Sequence, residues 1–153
     1  GCPGGEDVEV IWQCGSYYKK SMDQFMEGKN LPYIHMTDFI SRMDLAYAAA
    51  DVMVTRSGAS SVSEICAAHK AAIFVPSPNV TEDHQTHNAM ALVNRQAAVL
   101  VRDVDAANIL VSTALNLITN KEQLTSLHQH ILQLAQTDSA HRIALEVRKL
   151  IQK

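Results

Sequence analysis

The stretch Val52-Met53-Val54-Thr55-Arg56-Ser57-Gly58-Ala59 decides the fold class of this chain of 153 residues. It begins with an apolar run, typical of a parallel strand that is buried on both faces, and continues with a polar turn that leads into a helix. That helix is predicted to end at about His69, and a second apolar run, Ala71–Val75, follows it. The order strand, helix, strand predicts a βαβ unit and therefore a parallel sheet.

The same alternation extends in both directions along the chain. Strands are predicted at residues 8–12, 32–36 and 97–101, and helices at 17–27, 40–50, 83–96, 104–119, 122–135 and 139–152. The predicted fold class is α/β, with a Rossmann-like, doubly wound parallel sheet that carries helices on both faces. Residues 1–7 are interpreted as a disordered end or an expression remnant, and residues 8–153 as one domain.

The composition excludes several classes of protein. The net charge of −3 gives no basic excess for a nucleic-acid partner, and no apolar run is long enough to span a membrane. Three scattered cysteines without a CxxC pair argue against a disulfide framework or a zinc site and favour a reducing, cytoplasmic setting. Gly58 is the only glycine after Gly28, so the chain has neither a GxGxxG fingerprint nor a Walker loop.

Ligands of open parallel sheets bind beyond the carboxyl ends of the strands, and this rule selects four stretches of the chain. They are residues 13–16, 37–40, 55–61 and 76–88. In the third stretch, Arg56 and the small residues Ser57, Gly58 and Ala59 would let an anion approach the N–H groups of a helix start. The alternative interpretation is that Ser57 only caps the helix and Arg56 lies on the surface.

Glu64 has two interpretations of similar weight. The pattern Ser61-x-x-Glu64 matches a capping box, which predicts that the helix starts at Ser61. A start near Ser57 is equally compatible with the end of the preceding strand, and Glu64 would then face the ligand cleft. A carboxylate in that place suits a sugar diol, because its two oxygens can accept both hydroxyl protons.

The stretch 82–88 is dense in polar side chains at the start of a predicted helix. His84 and His87, with Asp83 and Glu82, form a weak candidate for a metal site, because no second cluster has matching spacing. One alternative is a solvated first turn that Asp83 caps. The other is a hydrogen-bonding face for a sugar, to which His84, Gln85 and Asn88 would contribute.

Several motifs together resemble the C-terminal domain of the MurG family of N-acetylglucosaminyltransferases. They are Ile11-Trp12-Gln13-x-Gly15, Asp38-Phe39-Ile40, Ala46–Asp51, Arg56–Ala59, Ser63-Glu64, Phe74-Val75-Pro76 and Glu82–Ala89. The resemblance covers nearly the whole chain. It implies the donor-binding half of a GT-B fold and the inverting transfer of N-acetylglucosamine from UDP-N-acetylglucosamine to lipid I, which makes lipid II of peptidoglycan. It implies neither a cofactor nor a metal.

The resemblance also assigns roles to single residues. Ile40 matches a backbone contact to uracil, and Glu64 matches the carboxylate that binds the ribose hydroxyls. Arg56 with the turn Ser57–Ala59 matches the diphosphate motif. His84, Gln85 and Asn88 match the motif beside the donor sugar, with His84 where some members carry glutamine. No residue of the chain is assigned a catalytic role.

The family's glycine-rich loop and its N-terminal acceptor domain, which would bind lipid I, have no counterpart in the sequence. The chain alone is therefore expected to be inactive, the complete enzyme is expected to be peripheral on the cytoplasmic face of the inner membrane, and an unpaired strand edge would favour a homodimer. Two alternatives are a non-catalytic donor-binding subunit of a split glycosyltransferase and a domain like that of UDP-N-acetylglucosamine 2-epimerase. A third is a structural fragment without ligand affinity.

Overall fold

The computed structural model describes residues 8–78 and 83–134. They group into two compact units that divide after Ala49. Both units alternate parallel strands with helices, which confirms the predicted parallel α/β class. The predicted helix at 139–152 and the end segment 1–7 lie outside the described residues.

The first unit is a strand–helix–strand motif followed by one more helix. Its elements are β1 (Val10–Gln13), α1 (Ser16–Met26), β2 (Ile34–Thr37) and α2 (Met43–Ala49). β1 and β2 pair in parallel, with Val10 opposite Ile34 and Gln13 opposite Thr37. Since parallel strands start and end together in this register, the polar residues that follow β1 and β2 lie at one edge of the sheet.

The segment between β2 and α2 differs from the sequence prediction. The helix was predicted to start at residue 40, but α2 begins at Met43. The Asp38 carboxylate accepts the backbone N–H of Phe39 at 2.9 Å, and the Thr37 hydroxyl donates to the carbonyl of Phe39 at 3.1 Å. These local bonds hold a turn there instead of a helix start.

The second unit contains the elements that follow. They are β3 (Val52–Thr55), α3 (Ala59–Ala68), β4 (Ala71–Phe74), α4 (His84–Val93), β5 (Val99–Leu100), α5 (Asp103–Thr119) and α6 (Lys121–Leu134). The three strands pair in parallel in the order β3-β4-β5. The carboxyl ends of all three strands therefore open toward the turns that carry most of the predicted site residues.

The core of the second unit lies around β4, whose four residues are fully buried. On one face, Ala71, Ile73 and Val75 pack with Leu117 of α5 and Leu127 of α6. The alternate residues Ala72 and Phe74 face the other side, where α4 packs against β5 and α3. Burial on both faces is the reason for the continuous apolar run of this strand.

Among the described residues, none of the helices is long and apolar enough to cross a bilayer.

Candidate functional site

The turn between β3 and α3 tests the capping-box interpretation of Glu64. α3 begins at Ala59, and Gly58 is its N-cap residue with extended backbone angles. Ser61 is therefore inside the first turn, and the capping box predicted at Ser61 is wrong. The predicted cap by Ser57 is also wrong, because no side chain bonds to the N-terminus of α3.

The start of α3 presents backbone N–H groups. The first N–H groups of a helix lack a partner inside the helix, and here only the N–H of Val62 reaches back, to the carbonyl of Gly58 at 3.0 Å. A Cβ atom added to Gly58 would meet no atom within 4 Å, so the space beside the turn is open. Together, the free space and the helix dipole suit an anionic group.

Ser57 is fully buried and joins this turn to α4. Its hydroxyl donates to the backbone carbonyl of Gln85 at 2.7 Å, and its own carbonyl accepts the side-chain Nδ2 of Asn88 at 3.1 Å. The side chain of Ser57 is thus committed to α4.

The first turn of α4 is fixed to the end of β4 as well. The backbone N–H of Ser77 donates to Oε1 of Gln85 at 2.9 Å. Asp83 takes the N-cap position of α4 with a left-handed backbone (φ 53°), but its side chain makes no capping hydrogen bond. The predicted cap by Asp83 is therefore wrong, and α4 is held by Gln85 and Asn88.

Arg56 connects the ends of all three strands of the second unit. Its Nη1 donates to the carbonyl of Val75 at 3.1 Å and to that of Pro76 at 3.3 Å, and it forms an ion pair with Asp103. The Arg56 side chain remains 53% exposed, so the guanidinium lies at the surface of the site although it is bonded.

Asp103 is a site residue that the sequence interpretation missed. It is the first residue of α5 and follows β5 closely, at the same edge of the second unit's sheet as the turns that follow β3 and β4. The rule that selected those stretches applies equally to the end of β5, and it would have included Asp103.

Glu64 and His84 both expose their side chains on the second unit. With α3 beginning at Ala59, Glu64 lies one helical turn beyond Ser60 on the same face of the helix. His84 is the first residue of α4 and is followed directly by the anchoring residue Gln85.

Ile40 belongs to the first unit, in the turn after β2. Its backbone N–H donates to Oε1 of Gln13 at 2.9 Å. Gln13 is the last residue of β1, so a side chain at the end of one strand holds the turn that follows its neighbour. The sequence interpretation selected the stretch that begins at Gln13 but gave its side chain no role.

Within residues 8–78 and 83–134, no group of three or more His, Cys, Asp or Glu side chains is placed to hold a metal ion. His84, His87 and Asp83 are among these residues, whereas Glu82 lies outside them.

A family model with the description "Glycosyltransferase family 28 C-terminal domain" matches residues 3–143. The chain belongs to this family. The resemblance that the motifs suggested is thereby confirmed, and the strand turns described above are those of a glycosyltransferase domain.

Curated relatives carry one shared name. A protein of Parabacteroides distasonis is 48% identical over 96% of the chain, and one of Bacteroides fragilis is 49% identical over 96%. Both are named UDP-N-acetylglucosamine--N-acetylmuramyl-(pentapeptide) pyrophosphoryl-undecaprenol N-acetylglucosamine transferase. The chain spans about 40% of the length of the first relative and 39% of the second. These names do not favour the epimerase alternative.

Solved structures agree in fold. The crystal structure of Acinetobacter baumannii MurG matches with a TM-score of 0.79 and 27% identity, over 92% of this chain and 43% of that one. The glycotransferase of kitacinnamycin matches with a TM-score of 0.62 at 19% identity, which shows the fold alone. The predicted Rossmann-like glycosyltransferase fold is confirmed.

Proposed function

We propose that this chain is the UDP-N-acetylglucosamine-binding domain of an inverting glycosyltransferase that transfers N-acetylglucosamine to lipid I and makes lipid II. The observation that carries the proposal is the 48% identity, over 96% of the chain, to a relative named as that transferase. Membership of the family 28 C-terminal domain supports the same assignment.

In this proposal the start of α3 binds the diphosphate. The support is chemical: a Cβ atom added to Gly58 would meet no atom within 4 Å, and no side chain caps the N-terminus of α3. Arg56 adds a positive charge at the neighbouring strand ends. Neither group requires a metal to hold the phosphates.

Glu64 would accept the two hydroxyls of the ribose, and His84 and Gln85 would contact the donor sugar. The exposure of Glu64 on α3 and of His84 at the start of α4 is compatible with these contacts. Asn88 supports this motif from behind, because its amide is bonded to the carbonyl of Ser57. Ile40, in the first unit, remains the proposed backbone contact to uracil.

The ribose assignment can be tested with two ligands that differ by one hydroxyl. We expect the chain to bind UDP about tenfold more tightly than 2′-deoxy-UDP, since a hydrogen bond to a carboxylate contributes about 1.5 kcal/mol. Glu64→Ala should bind both ligands equally. Glu122→Ala, an exposed glutamate of α6, is the matched control and should keep the preference.

Calorimetric titration of the three proteins gives the result. A preference for UDP that survives in Glu64→Ala would remove Glu64 from the ribose site. Failure of the unaltered chain to bind either nucleotide would overturn the proposal as a whole and favour the structural-fragment alternative.

We further propose that the complete protein needs an N-terminal acceptor domain for lipid I and acts peripherally on the cytoplasmic face of the inner membrane. The support is that the chain spans about 40% of the first relative's length. The chain alone should then bind the donor without transferring it. Conversion of a lipid I analogue by the chain at a rate near that of a full-length relative would contradict this.

The edge of β1 supports a proposed homodimer. In the described residues β1 pairs only with β2, while its Val10 and Ile11 remain 41% and 51% exposed. Light scattering should find dimers that Ile11→Lys abolishes. Leu132→Lys, at an equally exposed leucine of α6, is the control and should leave them intact.

A further inference from the structure

One guanidinium group joins the ends of three neighbouring strands. Arg56 follows β3, its Nη1 donates to the carbonyls of Val75 and Pro76 after β4, and its ionic partner Asp103 follows β5. The three acceptors surround one nitrogen that carries two hydrogens, so the bonds are shared among them. The negative charge of Asp103 keeps the guanidinium there, because a charged acceptor bonds more strongly than a carbonyl.

The segment that Arg56 holds leads directly to the proposed donor-sugar motif. Pro76 precedes Ser77, whose backbone N–H donates to Oε1 of Gln85 at 2.9 Å. Gln85 in turn accepts the hydroxyl of the buried Ser57 through its backbone carbonyl at 2.7 Å. A shift of Arg56 away from the carbonyls of Val75 and Pro76 would therefore release the anchor of α4.

We propose that Asp103 is a positioning residue of the donor site, which it serves by holding Arg56 on the end of β4. This inference rests on the proposed function. Asp103 touches no ligand in this arrangement. It fixes Val75 and Pro76, which precede the Ser77 N–H that bonds to Gln85, and it orients Arg56 so that Nε and Nη2, which have no acceptor among the described residues, stay available for an anionic group.

The chain offers a matched control in the same helical turn. Asp105 is also in the first turn of α5, where its carboxylate accepts Nε of Arg102 at 2.7 Å. Asp103→Asn and Asp105→Asn each remove one negative charge from this helix start, so they lose the same favourable interaction with the helix dipole. Only Asp103→Asn loosens the hold on Arg56.

The test has one readout that needs no nucleotide and one that does. The first is the exchange rate of the Ser77 backbone amide, and the second is the affinity for UDP from calorimetry, both on the 153-residue chain. We expect Asp103→Asn to raise the exchange rate about fivefold and to weaken UDP binding about fivefold, the upper range for a partly exposed ion pair. Asp105→Asn should change neither the exchange rate nor the affinity for UDP. Asp103→Glu keeps a carboxylate and should have an exchange rate and an affinity close to those of the unaltered chain.

A third measurement can be made on the unaltered chain alone, with Asp103→Asn as an added comparison. Salt at about 1 M screens exposed ion pairs. The added salt should raise the exchange rate of the Ser77 amide in the unaltered chain, and much less in Asp103→Asn. If Asp103→Asn fails to fold, the salt dependence of the unaltered chain still tests the proposal.

The proposal is overturned by equal effects of Asp103→Asn and Asp105→Asn, or by Ser77 exchange that responds to neither substitution nor salt. A chain that does not bind UDP at all would overturn the proposed function, and the Ser77 exchange rates would still decide whether Asp103 positions the segment.

Discussion

Oε1 of Gln13 accepts the backbone N–H of Ile40 at 2.9 Å. Gln13 ends β1, and Ile40 lies in the turn that follows β2. The bond occupies the N–H of Ile40, so the proposed backbone contact to uracil would fall to the Ile40 carbonyl. In the first unit, as in the second, a side chain at one strand end holds the turn after the neighbouring strand.

Gln13→Leu removes this acceptor and keeps the approximate size of the side chain. We expect the Ile40 amide to exchange faster and the affinity for UDP to fall about fivefold, since the turn loses a bond of about 1 kcal/mol. Amide exchange and calorimetry measure the two effects. Gln24→Leu, at an exposed glutamine of α1, is the control, and an equal loss of affinity there would show that the Gln13 bond has no special role.

Ser57→Ala should lower the free energy of unfolding by about 1–2 kcal/mol. The substitution removes the bond that the fully buried Ser57 hydroxyl donates to the carbonyl of Gln85, and it leaves a small void where the hydroxyl was packed. Urea unfolding measures the change. Ser63→Ala is the control, because the Ser63 hydroxyl is exposed and bonds only to the backbone of its own helix, at Ala59. A similar loss in both variants would contradict the role of Ser57.

α3 and α4 both end in a Schellman motif that has no glycine. His69 and Gln96 take the left-handed positions, with φ of 52° and 56°. The N–H of Lys70 donates to the carbonyl of Ile65 at 3.2 Å, and that of Ala97 to Leu92 at 3.0 Å.

His69→Gly should raise the free energy of unfolding by about 0.5 kcal/mol. Glycine removes the steric cost of the left-handed backbone, and its greater freedom in the unfolded chain offsets part of that gain. Thermal or urea unfolding measures the change. His69→Ala keeps the Cβ atom and should give no gain. A destabilised His69→Gly would show that the imidazole makes a larger contribution than the backbone geometry.

Burial raises the pKa of the Cys66 thiol above its ordinary value of 9.0. The pKa of this thiol is higher in the folded chain than in the unfolded chain. The stability that the buried neutral thiol contributes is therefore complete below pH 9.0 and is lost as the pH rises through the pKa of the folded chain. Between about pH 8 and about pH 10, the free energy of unfolding should therefore fall more for the unaltered chain than for Cys66→Ala. Parallel curves for the two proteins would contradict this effect, since every other titrating group is common to both.

Strand β4 was predictable because burial on both faces leaves a local signature, whereas Val54 of β3, in a run that predicted the same burial, is 45% exposed. Residues 71–75 read as one apolar run, and β4 occupies Ala71–Phe74 with no exposed residue. The family was predictable for a related reason, since its motifs follow the strand ends directly in the sequence.

The start of α3 could not be predicted from local residues. Ser57 and Ser61 are both common cap types, and neither serves as a cap. Ser57 is instead directed to Gln85 by a bond between residues 28 positions apart, and Arg56 finds Asp103 at a separation of 47 positions. Contacts of this length arise from the arrangement of strand ends in the sheet, which spacing along the chain does not contain.

The turn that surrounds the proposed diphosphate position offers main-chain N–H groups, whereas its buried Ser57 side chain is turned toward α4. Residues next to the ligand should therefore tolerate substitution better than residues that lie farther from it. Exposed Ser60 can change with little effect, because its contribution does not depend on its side chain. Asn88, which lies behind the turn and holds it in place, should accept almost no replacement.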